Sequence, residues 1–261
     1  AGTTADDNAI TVVMPSGQIN GLRWLASDLK GLIAGTSKEE FLIRSTTFGE
    51  SMTPTNKTVA PFSSTGSAYI QPVRTVFGTS FIQAARRRLF DIVYSSDQDS
   101  LVPIDTTLAA EHITRSGIVA MAYQQEPINV LWTLRNDGVL AAVTHYPTEK
   151  VWGWHRHIIG GHSDAADTQA AVVESISCIP EPGGTYDELW MVVRRNINGT
   201  TKRYIEYMQK YYESDMNLDD AGCCDSRFTY DSTPTNTVSG LGYLEGETVK
   251  VMVDGKSHPN L

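Results

Sequence analysis

The chain has 261 residues, 41% hydrophobic and 20% charged, which is the composition of a globular protein rather than a disordered or fibrous one. A formal net charge of −9 argues against a dedicated nucleic-acid binder, whose affinity rests on clustered cations. No apolar run approaches the roughly 20 residues that span a bilayer.

The first eight residues are small and polar and show no secretory leader. The first residue is not Met, so a processed chain or a piece of a longer one is expected. Strand signals then follow one another as short apolar or alternating runs broken by turn residues. The first set is expected at residues 10–14, 19–25, 31–36 and 41–45. Residues 50–67, rich in Thr, Ser, Pro and Gly, read as a long loop. A second set is expected at 70–76, 79–84, 88–94 and 101–105. The best helix candidate is 106–113, capped by Thr106 or Thr107.

The third set is expected at 118–123, 128–134, 139–145 and 150–158, with Asn136-Asp137-Gly138 as a type I′ hairpin signal. A fourth is expected at 172–179, 187–193 and 200–208, turning at Asn198-Gly199. Its last strand lies near 227–230 or is missing, and 204–212 reads equally as helix or strand end. Residues 213–225 are acidic and irregular. A further strand at 248–253 and a turn at Asp254-Gly255 begin a second small β domain.

Sets starting roughly fifty residues apart fit propeller blades of four strands each. The fold class expected is therefore all-β: a β-propeller-like domain of about four four-stranded meanders over 1–212, then a linker and the start of a small β domain over 213–261. A two-sheet sandwich of similar meanders is the rival. Trp24 and Trp132 fall in the second strand of their sets and are expected to pack between neighbouring blades.

Chemical motifs are sparse. His155 and His157 share a strand face, and His162 stands close enough in sequence to add a third metal ligand. The plainer reading makes Trp152, Trp154, His155 and His157 packing residues at a blade junction. Arg86, Arg87 and Arg88 form the only basic run, and strand alternation splits it, so ion pairing at a blade edge or a subunit contact is expected. Asp97, Asp99 and Asp105 lack the glycine and terminal glutamate of a calcium loop. Gly161-His162-Ser163-Asp164 lacks the second glycine of a nucleophile elbow, and no phosphate-binding glycine loop follows a strand. Of three cysteines, Cys178 is distant from the adjacent Cys223 and Cys224, and no CxxC appears. No cofactor is expected, and no enzymatic activity.

Several runs, in order along the chain, resemble one family. They are Gln71-Pro72-Val73-Arg74, Leu108-Ala109-Ala110-Glu111-His112-Ile113-Thr114, Met121-Ala122-Tyr123-Gln124-Gln125-Glu126-Pro127 and Leu131-Trp132-Thr133-Leu134-Arg135-Asn136-Asp137-Gly138. Further along stand Trp152-Gly153-Trp154-His155-Arg156-His157, Glu188-Leu189-Trp190-Met191-Val192-Val193-Arg194-Arg195 and Leu244-Glu245-Gly246-Glu247-Thr248-Val249. They are similar to the tail nozzle (tail tubular protein B-like) proteins of short-tailed bacteriophages and prophages. The resemblance implies a structural virion protein, assembled in the bacterial cytoplasm. Its expected state is a homo-oligomeric six-fold ring contacting portal, adaptor and tail-fibre proteins. Such a ring retains DNA and conducts it during ejection without binding it tightly. Residues 50–67 and 213–225 are then candidate inter-subunit segments. The alternative is a carbohydrate- or receptor-binding propeller that uses exposed Tyr and Trp as stacking platforms.

Overall fold

In the computed structural model the described residues are 8–17, 20–47, 49–214, 216, 227–246, 248–253 and 256–258. Strands β1 (Leu22–Asp28), β2 (Gly31–Thr36), β3 (Glu40–Arg44) and β4 (Thr58–Ser63) form the first antiparallel sheet, in chain order. The second holds β5 (Val73–Thr75), β6 (Gly78–Ile82), β7 (Leu89–Ser95) and β8 (Ser100–Asp105). The third holds β9 (Ile118–Gln124), β10 (Val130–Arg135), β11 (Leu140–Tyr146) and β12 (Val151–His157). Three strands make the fourth: β13 (Val172–Pro180), β14 (Asp187–Ile197) and β15 (Thr200–Tyr207). A separate hairpin of β16 (Val251–Val253) and β17 (Lys256–His258) lies where the second β domain was expected to begin.

The fold is thus all-β, and its sheets stand side by side like the blades of a propeller. Each junction is a layer of apolar side chains shared by consecutive sheets. Trp24 and Ile33 meet Phe81, Ile92 and Leu101 between the first and second. Ala68, Ile82 and Leu89 meet Ile118, Leu131 and Val143 between the second and third. Val130, Trp132 and Leu134 meet Val173, Leu189, Met191 and Val193 between the third and fourth. Strand β10 therefore has both faces covered, and Val130 through Leu134 are all buried. This explains its continuous apolar run, where a half-exposed strand would alternate. Among the described residues, no comparable layer joins the fourth sheet to the first.

Both tryptophans do pack between sheets. Trp132 is on the second strand of its set, but Trp24 is on the first, because the first sheet begins one element later than its spacing predicted. Residues 10–14 form no strand. Val12 and Met14 instead cover the outer face of the first sheet, against Ala34, Phe41 and Ile43. The missing fourth strand comes from the stretch expected to be loop: Thr58–Ser63 pairs with β3. Pro61 hid it, and the strand tolerates Pro61 because it lies at the sheet edge, where an absent N–H breaks no ladder.

The expected helix at 106–113 is a chain of turns. Ala110 N–H donates to the Thr107 carbonyl and Ile113 N–H to the Ala110 carbonyl, both at 2.8 Å. The Asp105 carboxylate accepts from the Thr107 N–H at 2.8 Å and its hydroxyl at 2.5 Å, which fixes a turn where a cap was expected. So short a segment gains too few helical bonds to offset nucleation. Residues 204–207 belong to β15, and 227–230 form no strand, so among the described residues the fourth set has three strands. Asn198 and Gly199 both take positive φ (48° and 75°), as a two-residue type I′ hairpin requires. At Asn136-Asp137-Gly138 only Gly138 does (78°), so this hairpin has a three-residue loop and not the type I′ turn expected.

Candidate functional site

Strand β12 is the outer edge of the third sheet and pairs only with β11. Its alternation divides the expected contact residues between two faces. Trp152 and Trp154 turn towards the second sheet and pack on the layer of Ile82, Leu89, Leu131 and Val143. Trp154 also touches Ala110, Ile113 and Ala141, and its indole N–H donates to the Thr106 carbonyl at 2.8 Å. Trp154 thus ties the turn segment to the sheet.

His155 and His157 occupy the opposite face, above Trp132. His155 Nδ1 and His157 Nε2 are 2.7 Å apart, and His155 Nε2 faces the Thr144 hydroxyl at 3.5 Å. The Trp132 ring lies 6.1 Å from the His155 ring, edge-on, and 5.1 Å from the His157 ring. Burial against these groups lowers the pKa of His155. Burial, reinforced by His155, pushes that of His157 down to about 4. Both rings are therefore neutral at physiological pH. His162 does not join them. Its backbone bridges Ala170, and its Nδ1 lies 3.6 Å from Asp167 Oδ1. Among the described residues no three His, Cys, Asp or Glu side chains converge as metal ligands, so the three-histidine grouping is corrected to a pair.

Arg86, Arg87 and Arg88 lie at the turn between β6 and β7. Arg86 takes φ 62°, and its carbonyl accepts the Ile118 N–H at 2.7 Å, which pins the third sheet to the second. The Arg87 carbonyl accepts the Thr114 hydroxyl at 2.7 Å. Among the described residues only Arg88 pairs as expected at an edge, with Asp105 at 3.2 Å and Glu111 at 2.6 Å. The backbone of this run holds the junction, while the Arg86 and Arg87 side chains are exposed.

The acidic candidates are turn formers. Asp99 accepts the Tyr94 hydroxyl at 2.5 Å, and Asp105 organises Thr107. Asp164 folds its own loop through Thr168 and Gln169, and those hydrogen bonds hold its carboxyl below the usual range. Cys178 is free, and burial pushes its thiol up to about 12, which leaves it unreactive. Cys223, Cys224 and most of the 213–225 segment lie outside the described residues.

The sequence reading missed three polar clusters because their members are far apart in the chain. Ser80 donates to Asp91 Oδ1 at 2.6 Å, and His145 Nε2 meets Asp91 Oδ2 at 2.6 Å, bridging the second and third sheets. The carboxylate stands between serine and histidine, and all three are buried. A nucleophilic triad needs the histidine in the middle, so this cluster is built for fastening sheets and not for acyl transfer. Arg195, 1% exposed, pairs with Glu206 and donates to the Gly160 carbonyl at 2.8 Å. Glu40, also buried, accepts the Ser67 hydroxyl at 2.8 Å.

The remaining feature is the outer face of the fourth sheet. β14 sends Leu189, Met191 and Val193 into the third sheet and Trp190, Val192 and Arg194 outwards. The register of β15 places Tyr207 beside Trp190, Ile205 beside Val192 and Arg203 beside Arg194. The Trp190 and Tyr207 rings meet at 5.2 Å, tilted by 31°, while Ile205 is 75% and Tyr207 53% exposed. Glu174 joins Arg194 and Arg203 at 3.0 and 2.7 Å, which lowers its carboxyl pKa. This face carries the aromatic and aliphatic groups that fill the inner junctions, with no sheet laid over it among the described residues.

Fold and site together define a class: an open series of antiparallel meanders, fastened by buried polar clusters, with one uncovered apolar end face. No family model matches this chain, and no curated protein matches it.

Proposed function

We propose that the chain is part of a structural virion protein, a component of the tail nozzle of a short-tailed phage or prophage. In the virion it forms a ring with further copies of itself, next to portal, adaptor and tail-fibre proteins. The ring is assembled in the host cytoplasm and conducts DNA during ejection. The observation that carries this reading is the outer face of the fourth sheet, where among the described residues Ile205 and Tyr207 are exposed beside half-buried Trp190 and Val192. A head-to-tail contact between such a face and a different surface of the next copy closes into a ring when its rotation divides the circle. The ordered residue runs that resemble nozzle proteins point to the particular ring. The acidic balance supports passage of DNA without tight binding, because like charge repels the cargo. The test is negative-stain microscopy of the protein alone and beside portal complexes, classified without imposed symmetry. Six-fold rings with a central pore are the expected result. Compact monomers at every concentration and beside the portal overturn the proposal.

The same face favours a second reading. A tilted Trp–Tyr pair flanked by Arg194, Arg203 and Glu174 suits a sugar ring, with aromatic faces below and hydrogen bonds at the rim. Binding to a glycan array that is lost in Trp190→Ala, without ring formation, selects the recognition module instead.

A further inference from the structure

We propose that His155 and His157 form a chelating site for a square-planar divalent ion of the copper(II) or nickel(II) class. This site is independent of the nozzle reading. The two residues are two apart on edge strand β12, so both rings rise from one face. Their facing nitrogens, His155 Nδ1 and His157 Nε2, share a hydrogen bond of 2.7 Å, whose proton a bound metal ion would replace. With metal–nitrogen bonds of about 2.0 Å, neighbouring ligands at a right angle lie about 2.8 Å apart, and at the tetrahedral angle about 3.3 Å. The observed separation is nearer to the square-planar spacing than to the tetrahedral one.

The surroundings support ligation. Thr144 faces the other nitrogen of His155 at 3.5 Å, so the tautomer with its N–H there, accepted by the hydroxyl, turns the Nδ1 lone pair towards His157. Trp132 closes the inner side and limits ring rotation. As the outer strand of its sheet, β12 leaves the remaining coordination positions to water or to an incoming donor.

The test titrates the whole chain with copper(II) in a weak glycine buffer, read by electron paramagnetic resonance and by tryptophan fluorescence. One ion per chain, a spectrum with two imidazole nitrogens and quenching of Trp132 are expected. Affinity is expected to fall by about tenfold or more in each of His155→Gln and His157→Gln, a loss typical of disrupted metal sites. His112→Gln and His162→Gln are expected to bind as the parent does. Equal affinity in all four variants overturns the proposal, as does a spectrum without paired nitrogens. Should the two strand variants unfold, paramagnetic broadening of the parent's imidazole resonances decides. Broadening that begins at His155 and His157 supports the site, and broadening that begins elsewhere overturns it.

Discussion

Glu40 shows how one side chain can set a pH dependence for the fold. It opens β3 and is wholly buried, with Ser67 donating to one oxygen. Burial pushes its carboxyl above the ordinary value of 4.5, against the lowering effect of hydrogen bonds from Ser63, Ser67 and the Gly66 and Thr65 backbone. The folded chain therefore holds this proton more tightly than the unfolded chain does. Its contribution to stability is complete below pH 4.5 and is lost as the pH rises through the elevated folded value. Glu40→Gln keeps the shape and removes the titration. Urea unfolding midpoints of the variant are expected to exceed the parent's at about pH 8 and to converge with them at about pH 4. Parallel profiles across that range would refute the assignment. None of this was legible in the sequence, where Glu40 is one of many surface-like carboxylates. The same holds for Asp91 with His145 and for Arg195 with Glu206, whose partners are chosen by sheet register rather than by local spacing. The strand pattern at 152–157, by contrast, put His155 and His157 on one shared face before any fold was known.

At the scale of the element, the contact between β1 and β2 shows what makes a junction close. Trp24 lies over Gly35, its register partner, and a Cβ at Gly35 would sit 2.1 Å from the indole ring. The glycine is the floor on which the tryptophan lies flat, so that its outer face meets Phe81 at 5.6 Å. Gly35→Ala would force the ring off Phe81 and open the layer between the first two sheets. A loss of about 1–3 kcal/mol is expected, the usual cost of overpacking a closed core. Thermal unfolding measures the loss, and Gly153→Ala, where an added Cβ meets no atom closer than 3.7 Å, serves as the tolerant control. Sequence pattern located the strands of the second and third sheets because their apolar runs are bounded by strong turns. It failed at β4 because Pro61 reads as a breaker unless the strand is known to be an edge. It failed at residues 10–14 because β-branched residues that cover a sheet face look the same as those that join the sheet. The turns at 106–113 read as helix because Thr106 and Thr107 resemble caps, although their polar groups serve Leu89 and Asp105.

At the scale of the molecule, the two ends of the series differ. The outer face of the first sheet is covered by Val12, Met14 and Met52 from the same chain. The outer face of the fourth sheet presents Ile205 and Tyr207 to solvent beside half-buried Trp190 and Val192. Propeller-like layering was legible because each meander repeats the same spacing. Which end remains open was not, since it depends on where residues 10–14 settle and on a fourth sheet one strand short of its neighbours. Exposed apolar groups of this kind contribute little to the isolated fold, so replacing them separates stability from association. Ile205→Glu with Tyr207→Ser is expected to change unfolding free energy by no more than about 0.5 kcal/mol, as for other solvent-facing substitutions. The same pair is expected to abolish concentration-dependent growth of the sedimentation coefficient, because a carboxylate buried at the contact would lack a partner. Sedimentation velocity over a wide concentration range distinguishes the outcomes. If parent and variant sediment alike, this face takes no part in assembly. If only the parent grows, the face that the fold leaves bare is the one through which copies join.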